Sequence, residues 1–293
     1  MQEINMLLSS QRYKYSSAIF ELLKSKTYAV IKGEPLSLLT YGACGERHLG
    51  DIDLLVDRKD LKFVETILLK NGFRTTLQSR ADKIMMLSSA HQIAPYIKEM
   101  PPYKNIMIDV NFDIFWGEYD GKRIDITEFL SDVIEVDIYG CKIKSLTPLK
   151  TMVQLILHHY KDMNSLYILS TRENYNISAL KDIYYLLINN LNDLSLNKLF
   201  DISEKYAIIP FVYYILYHVG ILYKDDILDY YIKEFETSEG KYLLNCYGLN
   251  ESERREWKVD ILTRLKSKNL NNLIRSDFTE KDKKKIELNR REF

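Results

Sequence analysis

The chain has 293 residues, enough for one large domain or two of ordinary size. Its 46% hydrophobic content supports a sizeable core, and 41 basic residues balance 41 acidic ones, which argues against general binding of a nucleic-acid backbone. Cys44, Cys141 and Cys246 stand far apart with no C-x-x-C pair, which argues against a disulfide framework or a zinc site and makes a reducing cytoplasm the expected compartment.

Residues 4–25 read as an amphipathic helix. The opening MQEINMLLSSQRYKY lacks a basic region followed by an apolar one, so no signal peptide is expected. YAVIK (28–32) reads as a short buried strand. Gly33 permits a turn, and EPLSLLTYG (34–42) reads as a helix with Pro35 in its first turn. After the loop ACGERHLG, the apolar run in GDIDLLVD predicts a strand over 51–57. RKDLKFVETILLKNGF predicts a helix opened by Asp60 as cap and closed at Asn71-Gly72. Strand-like segments follow at 73–77 and 83–88. NIMIDVNFDIFW (105–116) alternates apolar and polar residues, which predicts another strand. EVDIYGCKIKSL (135–146) predicts a hairpin turning at Tyr139-Gly140.

From residue 147 the pattern becomes helical, as in PLKTMVQLILHHYKDM and ISALKDIYYLLINNL. The expected division is a mixed α/β domain over 1–146 and a helical domain over 147–293. The uncharged run YAIIPFVYYILYHVGILY (206–223) nears the lower limit for a membrane span. Pro210, His218, Gly220 and five tyrosines that need hydroxyl partners favour a buried helix, so no membrane association is expected. The mixed charges of the last fifteen residues predict a solvated terminal helix.

The chemistry concentrates in GDIDLLVD. Strand alternation puts Asp51 and Asp53 on one face, with Ile52 and Leu54 on the other. Two carboxylates this close repel, so a cation is expected between them. Asp109, in IMIDVNF, is the candidate third carboxylate, and Asp113 further along the same segment is its rival. Three carboxylates on adjacent strands suit one or two Mg²⁺ ions, which prefer oxygen ligands and leave room for substrate phosphates. D-x-D alone is a weak signal. Its context adds a strand, Lys32-Gly33 and a helix start, an arrangement that can cradle phosphate. Lys32 and Arg47 are candidate phosphate partners; the alternatives are an ordinary exposed lysine and a loop arginine paired with a nearby carboxylate. Ser37 either donates to a phosphate or caps the helix. His48 follows Arg47 and reads as a solvated loop residue or a phosphate contact. Cys44 has no sequence-evident base, which argues against a thiol nucleophile.

VIKGEPLSLLTYGACGERHLGDIDLLVDRKDLKFVETILLKNGF resembles the uncharacterised nucleotidyltransferase group of the DNA polymerase β-like superfamily. The residues that carry the resemblance are Lys32-Gly33, Tyr41, Arg47, Asp51 to Val56 and Gly72-Phe73, in that order. It continues in IDVNFDIFW, where Asp109 matches the group's acid and Asn111 stands in place of its His. SLTPLKTMVQLILHHYKDM and LKDIYYLL resemble the group's His-containing helical segment and its Asp, here Asp182. Coverage is roughly residues 25 to 190.

The resemblance implies an α+β minimal nucleotidyltransferase fold, a short mixed sheet flanked by helices, followed by a mainly helical domain. It implies two Mg²⁺ ions on Asp51, Asp53 and Asp109, with Lys32, Gly33, Ser37 and Arg47 toward the nucleotide. A nucleoside monophosphate then passes from an NTP to a hydroxyl of an unknown acceptor (small molecule, protein or RNA), and pyrophosphate leaves. Asn111, His158, His159 and Asp182 become acceptor-side candidates. Adjacent helical residues diverge by about 100°, so only one of the two histidines is expected to face a site. Glu34, following Gly33, places negative charge where phosphates should sit unless it faces away. The alternative is a catalytically silent nucleotide-binding or antitoxin-like module.

Overall fold

The apolar runs of the N-terminal half pair into one sheet. The computed structural model describes residues 2–47, 50–75, 79, 84, 86–87, 90–101, 105–115 and 124–292. Its strands are β1 (Tyr28–Ile31), β2 (Ile52–Val56), β3 (Arg74–Thr75), β4 (Tyr96–Lys98), β5 (Ile106–Asn111), β6 (Ile134–Ile138) and β7 (Cys141–Ser145). They lie in the order β3-β4-β5-β2-β1-β7-β6. β2 pairs antiparallel with β1 and parallel with β5, and β1 pairs parallel with β7, so the sheet is mixed. Contacts divide the chain into two units, one of residues 1–117, 121–154 and 189–194, the other of 118–120, 155–188 and 195–293.

In the first unit every residue of β1 and β2 is buried. The even-numbered face of the sheet, with Val30, Ile52, Leu54, Ile108 and Val110, belongs to the hydrophobic core. Helix α1 (Gln2–Leu23) adds Tyr13, Ile19, Phe20 and Leu23 to that core; helix α3 (Leu61–Lys70) adds Val64, Ile67 and Leu68. Full burial of each such aliphatic side chain stabilises by about 1.5–3 kcal/mol. A slip of one residue in β2 would drive its aspartate into this core, so burial also fixes the register. Between β1 and β2 lies helix α2 (Gly33–Tyr41). Tyr139 and Gly140 both take positive φ, as a two-residue hairpin turn requires, and the Gly140 N–H donates to Asp137 at 2.7 Å.

Three local expectations change. Asp60 does not cap α3: its carboxylate pairs with Lys26 at 2.7 Å, and Asp57 caps the preceding 3-10 turn through the Lys59 N–H. The segment 83–88 is not a strand where it is described, since residues 84, 86 and 87 are helical; its Ile, Met and Leu serve either structure. The remainder of 83–88, like His48, lies outside the described residues. β5 ends at Asn111 rather than at 116.

The second unit is helical, apart from the small ladder of β8 (Cys246–Tyr247) with β9 (Arg255–Glu256). Four of its helices start on side-chain caps: Ser165, Asp225, Thr237 and Asp260 each accept from an N–H of the first turn. The uncharged run forms the helix Ile209–Leu222, with Pro210 in its first turn and Phe211 to Leu216 all buried. Among the described residues no helix is long and apolar enough to cross a membrane.

Candidate functional site

The register of β2 and β5 builds a carboxylate group at the sheet centre. Asp53 lies directly beside Asp109, so their side chains share the odd-numbered face, and Asp51 precedes Asp53 by two. Burial, then the neighbouring Asp53 and Asp51, push Asp109 up to about 7, although Lys32 opposes the rise. Asp51 is also raised, by burial and then by Asp53, with Lys32 and Arg12 acting against it. The Asp109 Oδ1 is buried with no hydrogen-bond partner. Crowded carboxylates with an orphaned oxygen are an oxygen-donor set suited to a hard divalent cation.

Two cations face this group. Lys32 Nζ lies 3.3 Å from Asp53 Oδ1. Arg12, on α1, is buried and feels the charge of Asp51. Nothing in the sequence marks Arg12, because its partner is thirty-nine positions away on another element.

Lys32 itself carries the backbone strain of the turn. Its φ of 59° with ψ of −148° falls near a region that is essentially restricted to glycine and costs about 1–3 kcal/mol. Gly33 follows with φ of +53°, and a Cβ there would meet only the Tyr13 hydroxyl at 3.7 Å, so its demand is conformational. Lys32→Gly is therefore expected to keep or raise the melting temperature while weakening NTP binding severalfold. Thermal unfolding alongside calorimetric NTP titration checks this, and unchanged affinity would make Lys32 a plain turn residue.

Glu34 faces away from the carboxylates. It is fully buried, and its oxygens accept from the Gly45 N–H at 2.8 Å and the Tyr139 hydroxyl at 2.9 Å. It thus ties the loop after α2 to the β6–β7 turn. Burial and this carboxylate push the Cys44 thiol up to about 11, which leaves it inert as a nucleophile. Glu34→Ala leaves the buried Gly45 N–H and the half-buried Tyr139 hydroxyl unpaired, so a loss of roughly 1–3 kcal/mol in chemical denaturation is expected.

Ser37 is placed differently from its expectation. Its hydroxyl is buried, donates to the Ala43 carbonyl at 2.8 Å and accepts from the Glu46 N–H at 3.2 Å, which leaves no exposed oxygen for a phosphate. It braces the loop that carries the half-buried Arg47. Asn111 is also not exposed toward an acceptor. It is buried, and its amide donates to Asp53 Oδ1 at 3.5 Å and to the Leu54 carbonyl at 3.4 Å, which orients Asp53. Asp113 lies beyond the end of β5 and accepts from the Phe115 N–H at 3.0 Å; strand register selects Asp109 as the neighbour of Asp53.

In the second unit, His158 and His159 share one site after all. Asp162 stands about 40° round the helix from His158 and so falls between the two imidazoles. Ligand atoms of His158, His159 and Asp162 lie within 4.8 Å of one another. The Asp162 carboxylate also meets Arg172 at 2.8 Å and Lys161 at 3.7 Å, and these two cations already neutralise it. The spacing His158 to Asp162, one helical turn, was the signal for this group. Asp182 is buried on the helix Ile177–Asn189.

A family model described as uncharacterised nucleotidyltransferase matches residues 8–224. The chain belongs to that nucleotidyltransferase family. Its mixed sheet, flanking helices and helical continuation are the α+β fold expected of a family member. Among solved structures, the chain is similar to an antigenic nucleotidyltransferase-like protein from Paracoccidioides brasiliensis, at 18% identity over 67% of this chain and 89% of that one, with a TM-score of 0.38. No curated protein matches. Within the family match lie Arg12, Lys32, Asp51, Asp53, Asp109, Asn111 and the histidine pair.

Proposed function

We propose that this nucleotidyltransferase family member moves a nucleoside monophosphate from an NTP to a hydroxyl of an acceptor, releasing pyrophosphate, on the carboxylate face of β2 and β5. The observation that carries the reading is the side-by-side register of Asp53 and Asp109 with the orphaned Asp109 oxygen. Asp51, Asp53 and Asp109 would hold Mg²⁺, which when bound neutralises charge on the phosphate oxygens. Asn111 holds the Asp53 carboxylate in orientation. Lys32 and Arg12 present positive charge to the triphosphate. In the transfer, the acceptor oxygen bonds to the α-phosphorus, the bond to the β-phosphate breaks, and the hydroxyl proton passes to the Asp109 carboxylate. A protein of 1–146 for catalysis and 147–293 for the acceptor remains the proposed division, within a cytoplasmic setting.

Incubation of the protein with each labelled NTP, Mg²⁺ and cell extract tests the reading. Label transferred to an extract component, with pyrophosphate released, is the expected result. No transfer from any of the four NTPs would return the chain to a silent nucleotide-binding role.

A further inference from the structure

The second unit buries a charge that its own fold leaves uncompensated. Arg264 is 1% exposed, and only its Nη2 finds a hydrogen bond, to the Leu244 carbonyl at 2.9 Å. Its Nε and Nη1 have no partner, and no carboxylate pairs with it among the described residues. Further orphaned polar atoms belong to residues that sense this charge or touch the guanidinium. His218 Nε2 is buried without a hydrogen bond, the buried Tyr175 hydroxyl lies toward the guanidinium and the buried Tyr214 hydroxyl toward Asn164, and all three groups feel Arg264. The Trp257 ring lies 4.9 Å from the guanidinium carbon, and its indole N–H is buried and unpaired too. Buried polar atoms are rarely unpaired, and the two of these residues that line a cleft, Arg264 and Trp257, call for a polar species there.

Water alone would satisfy hydrogen bonds but not the charge. A buried guanidinium without a counter-charge is strongly unfavourable. Arg264 and Trp257 also line a cleft of about 700 Å³, with Tyr217, Ile221, Leu262 and Lys224 around it. That volume suits a small organic ligand. The walls supply an aromatic face and aliphatic side chains, and Lys224 adds a second cation. The acid in the wall, Asp260, is committed to capping its helix through the Thr263 N–H and hydroxyl. We infer that this cleft binds a small aromatic oxyanion, its charged group toward Arg264 and Lys224 and its ring against Trp257. Residues 245–264 lie outside the family match, and the inference stands independently of the reaction at Asp51, Asp53 and Asp109.

The test uses the full chain carrying Trp116→Phe, which leaves Trp257 as the one tryptophan. Phenyl phosphate, benzoate, inorganic phosphate and uncharged benzamide are titrated while its fluorescence and melting temperature are followed. Saturable quenching with a raised melting temperature is expected from phenyl phosphate or benzoate, and whichever binds tighter identifies a phosphate or a carboxylate ligand. Lys224→Ala, at an exposed position, should weaken that binding severalfold, and Arg264→Met should abolish it. Trp257→Phe keeps the inference testable should Arg264→Met fail to fold; it should weaken the melting shift. Equal binding of benzamide would remove the charge from the argument. Absence of saturation by either aromatic anion at millimolar concentration would show that the Arg264 and Trp257 groups hold water only, and would overturn the site.

Discussion

Asp53→Ala is expected to abolish nucleotidyl transfer and to leave the protein folded. Asp53 sits where β2 meets both β1 and β5, and its Oδ1 collects Lys32 and the Asn111 amide. The substitution removes the carboxylate that stands between Asp51 and Asp109, the central oxygen ligand of the proposed ion site. A loss on the order of a thousandfold or more, about 4 kcal/mol of transition-state stabilisation, is the expected scale. The fold tolerates the change because the remaining partners are not stranded. Lys32 can reach water, and Asn111 retains the Leu54 carbonyl. Removing one of three crowded carboxylates also relieves repulsion on Asp51 and Asp109, so the metal-free variant should melt no lower than wild type. Single-turnover rates and thermal unfolding on matched preparations check both halves. Turnover within tenfold of wild type would take Asp53 out of the mechanism; a collapsed melting temperature would make it a structural residue.

The centre of this site was legible because strand alternation is a strict rule. A period of two put Asp51 and Asp53 on one face and left Asp109 and Asp113 as candidates for the third carboxylate, and the structure pairs Asp53 with Asp109. The hairpin turn was legible from Gly140 standing between two strand-like runs, while the positive φ of Tyr139 is imposed by the turn and not announced by the residue. What escaped depends on tertiary contact. Arg12 reaches the carboxylates only because α1 packs on the sheet, and helix periodicity says nothing of that. Asp60 was read as the cap of α3, and its pairing with Lys26 on another element removes it from that role. The hydroxyl of Ser37 and the amide of Asn111 had the right chemistry for ligands, but burial turned both inward. The histidine pair was misjudged from the angle between adjacent residues alone. The residue one turn on, Asp162, is what joins them.

Asp109→Asn is expected to separate the transfer step from nucleotide binding and to leave a signature in stability as well. Asp51 and Asp53 are expected to hold the ion that contacts the triphosphate, while Asp109, on its own strand, serves the acceptor hydroxyl. The substitution keeps shape and one oxygen but removes the charge and the proton acceptor. NTP affinity with Mg²⁺ should therefore change little, and the single-turnover rate at saturating NTP should fall on the order of a hundredfold or more, about 3 kcal/mol. The pH dependence follows from the raised carboxyl. Asp109 goes from 3.8 to about 7 on folding, so the folded state holds its proton more tightly than the unfolded chain does. That contribution is complete below about pH 4 and is lost as pH rises toward about 7, a change of up to a few kcal/mol. In chelator, wild-type stability should accordingly fall across that window. The variant, with no proton to lose at this position, should fall less, and its advantage should grow from acid to neutral pH and then level off. Added Mg²⁺ should reverse the order, stabilising wild type more than the variant at neutral pH. Parallel stability curves in chelator would remove the carboxylate crowding at this position. Loss of NTP binding together with transfer would contradict the separate role given to Asp109.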